Sequence, residues 1–74
     1  MGMGVLDVGL GIVGLEIYKD YGANSPANGW IGVLASGVIA YFGFKMNGIV
    51  GDVIFDLSVG YGIGALASSV GLSV

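Results

Sequence analysis

Residues 30–44 read WIGVLASGVIAYFGF, and this run governs how the chain folds. It contains no charged residue, and wound as a helix it is apolar on every side. A helix of that kind must be surrounded by protein or by lipid. Small residues recur at every fourth position and form a groove that lets a second helix approach closely, namely Gly32, Ser36 and Ala40. The run therefore predicts a helix that its neighbours bury.

The composition points to burial within an assembly. Of the 74 residues, 55% are apolar and 9% are charged, whereas about a quarter are charged in an ordinary soluble domain. Glycine accounts for 16 residues, and cysteine and histidine are absent. Disulfides, thiolate or imidazole metal ligands and a histidine general base are thereby excluded. A domain this short needs oligomerisation in their place, and we expect neither enzyme activity nor a cofactor.

Two apolar helical segments flank one linker rich in turn-forming residues. The first segment covers about residues 3–21, the linker is 22–29 (GANSPANG), and helical residues resume over about 30–72. Gly, Asn, Ser and Pro each favour turns for their own backbone reason. A short linker between two buried helices favours an antiparallel arrangement. The sequence therefore predicts an all-α chain in which residues 1–74 form a single antiparallel, hydrophobic helical hairpin.

The second segment has a weak point near residues 46–51, where an Asn-Gly dipeptide is a turn candidate. Either the chain turns there and forms three helices, or one long helix continues with a kink. In a continuous helix, Lys45 would share a stripe with Asp52 and Asp56. Both alternatives remain open. Beyond the weak point, a second set of small residues at every fourth position predicts close helix packing: Gly60, Gly64 and Ser68.

Few groups could carry chemistry. Asp52 and Asp56 share a helix face at i, i+4 spacing, which we interpret as a polar face rather than a cation or catalytic site. Another interpretation makes Asp56 the proton carrier of a proteolipid ring subunit, although the linker lacks the Arg-Gln-Pro type motif of that family. Residues 60–64, GYGIG, lack the Lys and Ser/Thr of a phosphate-binding loop, so we attribute these glycines to helix packing.

Lys19 and Lys45 are the two cations of the chain. In antiparallel helices they would lie at opposite ends. One interpretation has them ion-paired or extended along apolar surface with their charge in water. In the other, Lys45 or Lys19 contacts nucleic-acid phosphates once per subunit along a polymer, which would hold a nucleic acid without reading its sequence.

At the level of the whole chain, the sequence resembles the small, very hydrophobic, helical major capsid proteins of archaeal viruses, in particular the rod-shaped bacilliform type (Clavaviridae). The chain length, the two apolar helical stretches and the linker ANSPANG carry this resemblance. It implies location in a virion, self-assembly into a homopolymeric helical shell around double-stranded DNA, and heat-resistant apolar interfaces. Lys19 and Lys45 would then supply the basic residues that face the genome. The coat proteins of spindle-shaped archaeal viruses are the neighbouring possibility.

An integral membrane oligomer, such as a proteolipid ring or a holin-like pore, is the alternative. The uncharged run 29–44 is shorter than the about 20 residues that a spanning helix needs. The first segment contains Asp7 and Glu16, and the uncharged tail from Leu57 onward is rich in Gly and Ser rather than in large apolar residues. We therefore predict a virion protein, with a membrane location as the alternative.

Overall fold

A computed structural model describes residues 5–26 and 28–72, and within them the chain is helical. The all-α prediction is confirmed. Three α-helices follow one another, with the bounds α1 Val5–Asp20, α2 Gly29–Lys45 and α3 Ile49–Ser69. Some predicted positions lie outside the described residues: residues 3 and 4 of the first helix, residue 27 of the linker and both ends of the predicted 1–74 domain.

The linker is held together by its own hydrogen bonds. A short 3₁₀ helix, Gly22–Asn24, follows α1, and Ser25 closes it. Both the backbone N–H and the hydroxyl of Ser25 donate to the carbonyl oxygen of Gly22, at 3.1 and 2.8 Å. The side-chain amide of Asn28 donates to the carbonyl oxygen of Ala23 at 3.2 Å. Side chains thus satisfy these carbonyl groups, and the described residues of the linker form a turn of the kind that its composition predicts.

Helices α2 and α3 are separated by a sharp turn. The N–H of Met46 donates to the carbonyl oxygens of Phe42 and Gly43, at 3.1 and 3.2 Å, and the extended backbone of Met46 ends α2. Gly48 follows with a φ of 88°, a conformation that L side chains rarely adopt. The structure thus adopts the turn, one of the two alternatives that the sequence left open, and not the continuous helix.

Helix α3 lies between the other two. Both α1 and α2 pack along α3 and make hardly any contact with each other. Helix α1 points in the same general direction as α3 and crosses it, since Gly11 contacts Gly60, Gly14 contacts Leu57 and Tyr18 contacts Gly64. Helix α2 runs antiparallel to α3, since Ser36 contacts Gly62 and Gly43 contacts Phe55. The predicted hairpin of the first two helices is therefore not confirmed, since each of them packs against α3 instead.

Helix α3 can hold a helix on either side because it carries small residues on two faces. At about 100° per residue, Gly60 and Gly64 lie on one face, while Gly51, Ser58 and Gly62 lie on the opposite face. The first face contacts α1 and the second contacts α2. The result is an elongated bundle with extents of 34 × 22 × 18 Å.

Candidate assembly surface and nucleic-acid contacts

The contact between α1 and α3 brings the two backbones together. A Cβ atom added to Gly60 would collide with the carbonyl oxygen of Gly11, and one added to Gly14 would collide with the carbonyl oxygen of Leu57. Such contacts leave no room for any side chain, because the colliding atoms belong to a helix backbone that cannot rotate away. Glycine at these positions therefore sets how closely α1 and α3 pack.

The contact between α2 and α3 is similarly close. A Cβ atom on Gly43 would come within 2.8 Å of the Phe55 backbone nitrogen, and one on Gly62 would come within 2.6 Å of Ser36 Oγ. The Ser36 hydroxyl donates to the carbonyl oxygen of Val33 at 3.1 Å, so this buried group is satisfied inside α2. Both sides of α3 are thus packed through glycine and serine.

The six positions predicted to pack differ in burial. Four are buried, Gly32, Ser36, Gly60 and Gly64, whereas Ala40 is half-buried and Ser68 is exposed. The motif at residues 60–64 lies inside α3, where its first and last glycines face α1. Sequence reasoning missed further close contacts because their positions fall outside the two every-fourth series it identified: Gly14, Gly43 and Gly51.

Large apolar side chains lie mainly on the outside of the bundle. Across residues 5–26 and 28–72, the buried hydrophobic residues are Tyr18 and Ala65, which are 1% and 0% exposed. Tyr18 packs edge-on against Tyr61, with ring centroids 5.2 Å apart. In contrast, Val5 is 89% exposed and Phe44 is 70% exposed, and all three helices carry further exposed aliphatic side chains. Small side chains thus lie at the helix contacts and large apolar side chains face outward, which is the reverse of the usual arrangement.

One run of exposed apolar side chains forms a continuous stripe along α2. At about 100° per residue, its members fall within about 100° of arc, on the side of α2 away from α3. We call this surface the α2 stripe and define it by five residues that are between 55% and 70% exposed: Ile31, Leu34, Val38, Tyr41 and Phe42. A contiguous apolar surface of this kind marks an interaction site.

An open apolar groove runs between α1 and α2, with α3 as its floor. It exists because α1 and α2 each pack on α3 without closing against each other. Its volume is about 340 Å³, and its lining is almost entirely apolar: Gly14, Ile17, Ala35, Ser36, Ile39, Leu57, Ser58 and Tyr61. The groove is shaped to take apolar side chains from outside the bundle.

The two predicted phosphate-binding lysines lie at the carboxyl ends of α1 and α2, which point in opposite directions. Lys19 Nζ is 3.7 Å from Glu16 Oε2, one turn earlier in α1. Lys45 Nζ lies 5.3 Å from the ring centroid of Tyr41, a cation–π contact, and has no ion pair within the described part of the chain. Lys45 therefore adjoins the α2 stripe, and Lys19 is partly neutralised by its partner.

Asp56 is a buried carboxyl group at the contact between α1 and α3. It is 6% exposed, and its Oδ2 has no hydrogen-bond partner among the residues described. The pKa of Asp56 is raised from 3.8 to about 6, mainly by burial. A hydrogen bond to Asp7 and the negative charges of Asp7 and Asp52 contribute to this same rise.

The sequence interpretation associated Asp56 with Asp52 and missed Asp7. Because the chain turns at 46–48, Lys45 does not share a helical stripe with Asp52 and Asp56. A signal for the Asp7 contact was present, since Asp7 and Asp56 each precede by four residues a glycine of the α1–α3 contact. Among the residues described, no group of carboxylates is arranged to hold a metal ion.

Within residues 5–26 and 28–72, α3 is the helix whose length and apolar composition would allow it to cross a membrane, and a third of its apolar window is buried in the bundle. No family model, curated protein sequence or solved structure matches the chain. Function is therefore inferred from the surfaces and charges described above.

Proposed function

We propose that this chain is a major capsid protein that self-assembles through apolar helix faces into a helical virion shell around double-stranded DNA. Its main support is the inverted distribution of side-chain size, with small residues at the helix contacts and large apolar residues facing outward. A lone bundle leaves these side chains in water, and neighbouring copies would cover them. The resemblance to the capsid proteins of rod-shaped archaeal viruses points to the same role.

The bundle by itself leaves more surface exposed than a compact protein of the same mass. Its accessible surface is 4637 Å², whereas a compact protein of 7.4 kDa has about 4,200 Å². Covering one large aliphatic or aromatic side chain contributes about 1.5–3 kcal/mol. Because such side chains are exposed on all three helices, contacts with several neighbours would supply most of the stability of the assembled protein.

Two surfaces of the bundle suit contact between copies. The α2 stripe is a projecting ridge, and the groove between α1 and α2 is concave and apolar. If the ridge of one copy lies in the groove of the next, two different surfaces meet in a head-to-tail contact. Head-to-tail contacts that do not close into a ring generate helical polymers. This geometry suits a rod-shaped shell built from one kind of subunit.

Electron microscopy of purified protein, prepared without detergent, tests the proposed function. We expect rods of uniform diameter that sediment as large particles and persist at high temperature, because apolar contacts provide the cohesion. A dispersed monomer would contradict the proposal. So would material that remains in solution only with detergent or lipid.

The membrane alternative is supported by the length and apolar character of α3, and lipid would cover the same outward-facing apolar side chains. Helices α1 and α2 have 16 and 17 residues, and at about 1.5 Å per residue both fall short of a hydrocarbon core about 30 Å thick. The apolar character of α3 also has a second explanation, since α3 is the helix that lies between the other two. Extraction separates the two functions, because a pore or ring would leave a membrane fraction only with detergent.

Lys45→Gln is expected to weaken DNA retention more than Lys19→Gln. Lys45 has no carboxylate partner in the described chain, whereas Lys19 already pairs with Glu16. Each phosphate contact contributes a slope of about −0.9 to the dependence of log affinity on log salt concentration. Rods assembled on double-stranded DNA should therefore release it at lower salt when Lys45 is replaced.

The matched control for this comparison is Lys19→Gln, which removes the same charge from the other end of the bundle. DNA retention by rods can be followed by sedimentation over a salt series. If both variants release DNA at the same salt concentration as the original chain, neither lysine contacts the phosphates. If Lys19→Gln has the larger effect, the genome faces the other end of the subunit.

A further inference from the structure

We propose that the contact between Asp7 of α1 and Asp56 of α3 is a proton-binding site that holds these helices together in acid and loosens them as the pH rises. The site belongs to the bundle itself, so it would act in a single copy as well as in a polymer.

The geometry of the α1–α3 contact places the two carboxyl groups against each other. Asp7 precedes Gly11 by one helical turn, and Asp56 precedes Gly60 by one turn on α3. The backbones touch at the Gly11–Gly60 contact, which brings the side chains one turn away close to each other. Asp56 is 6% exposed and hydrogen-bonds Asp7.

The buried oxygen of Asp56 identifies the proton as the ligand. Oδ2 has no hydrogen-bond partner in the described part of the chain, so ionised Asp56 would leave negative charge on a buried oxygen that receives no hydrogen bond there. Protonation removes that charge and supplies the O–H that a hydrogen bond between two carboxyl groups requires. Two carboxyl groups held together in this way share one proton, because like charges at close range cannot both ionise.

The groups that face Asp56 favour this protonation. Asp7 on α1 and Asp52 on α3 raise its pKa, whereas the amino-terminal charge lowers it. The charged residue of α2 is Lys45, which lies over the Tyr41 ring. The folded-state pKa of Asp56, about 6, is above its ordinary value of 3.8. The stabilisation is therefore complete below about pH 4 and is lost as the pH rises through about 6.

Infrared spectroscopy of the full chain over a pH series tests the site directly. We expect the carbonyl stretch of a protonated carboxyl group at about pH 5 and its loss with a midpoint near 6. In parallel, circular dichroism during denaturation should give a folding equilibrium about 100-fold more favourable near pH 4 than above pH 7. Asp56→Asn, which cannot ionise, should remove both changes and keep the acid-state stability at neutral pH.

Asp20→Asn is the matched control, since it alters an exposed carboxylate at the far end of α1 and should retain both changes. Asp7→Asn should lower the infrared midpoint toward the ordinary pKa of an aspartate, because it removes a facing negative charge. An unchanged midpoint in Asp7→Asn overturns the pairing. If Asp56→Asn does not fold, the infrared spectrum of the unsubstituted chain still tests the proposal. The absence of a protonated carboxyl band at about pH 5 would overturn the proton site.

Discussion

Gly60→Ala is expected to separate α1 from α3 and to lower the free energy of unfolding by about 3 kcal/mol. The added methyl group would meet the carbonyl oxygen of Gly11, which is part of a helix backbone and cannot rotate away. One helix must therefore shift, and the neighbouring contacts shift with it. The intrinsic gain of replacing glycine by alanine in a helix is about 1 kcal/mol, too small to offset this collision. Stabilities of domains are about 5–15 kcal/mol, so the loss is a large share.

Gly37→Ala is the matched control for this prediction. Gly37 lies in the middle of α2, and a Cβ atom there would meet nothing within 4 Å. We expect this variant to be as stable as the original chain or more stable by about 0.5–1 kcal/mol, because alanine restricts the unfolded chain more than glycine does. Denaturant unfolding followed by circular dichroism measures both variants. Equal effects of the two substitutions would show that α1 and α3 do not touch through their backbones.

Leu34→Glu is expected to prevent assembly while the three-helix bundle stays folded. Leu34 is 70% exposed in the α2 stripe, so its replacement changes few contacts within one copy, and we expect a cost below about 0.5 kcal/mol. In a polymer the same change removes about 1.5–3 kcal/mol of apolar burial and places an unpaired carboxylate in the contact. Together these effects should raise the concentration needed for assembly by at least about 100-fold.

Sedimentation and electron microscopy measure the assembled fraction of the Leu34 variant, and helix content by circular dichroism reports whether the bundle persists. Ala23→Glu is the control, because it introduces the same charge at an exposed position in the linker, away from the α2 stripe. Rods that form normally from Leu34→Glu would exclude the α2 stripe as a contact between copies. Comparable losses in both variants would point to net charge rather than to the stripe.

The two variants also separate folding from assembly. Gly60→Ala acts on a contact inside one copy, so it should reduce both the stability of the bundle and the yield of rods. Leu34→Glu acts on a surface that the bundle leaves open, so it should reduce the yield of rods alone. In a protein stabilised by its own core, the substitutions that lower the free energy of unfolding most are those that shorten large buried side chains, and not one that adds a methyl group to a glycine.

The helices themselves could be predicted from local sequence. Apolar runs with few charges correspond to the observed helices. Turn-forming residues correspond to the linker, and an Asn-Gly dipeptide near residue 47 corresponds to the second turn. Whether that dipeptide ended a helix or only bent it remained open, because glycine is tolerated within helices at a cost of about 1 kcal/mol. The structure resolves the alternative through the positive φ of Gly48.

Sequence reasoning identified part of the packing surface and missed the rest. Gly60 and Gly64 belong to an every-fourth series of small residues and are buried against α1. Ser68 continues the series in sequence, but it is exposed near the end of α3. Gly43 lies too close to the Phe55 backbone for a side chain to fit, and it stood in neither series. The spacing of small residues predicts which face of a helix can pack closely, but it does not predict how far along that face the neighbouring helix extends.

The sequence by itself determined that this chain is all-α, that the run 30–44 is apolar on every side of its helix, and that the glycines allow close contact between helices. Only the tertiary structure decided that α3 lies between α1 and α2, that Asp56 meets Asp7, and that the α2 stripe faces outward. The physical reason is that a helix apolar all round has no polar face to mark its outside. Its orientation then follows from where backbones can approach most closely, and that depends on all three helices at once.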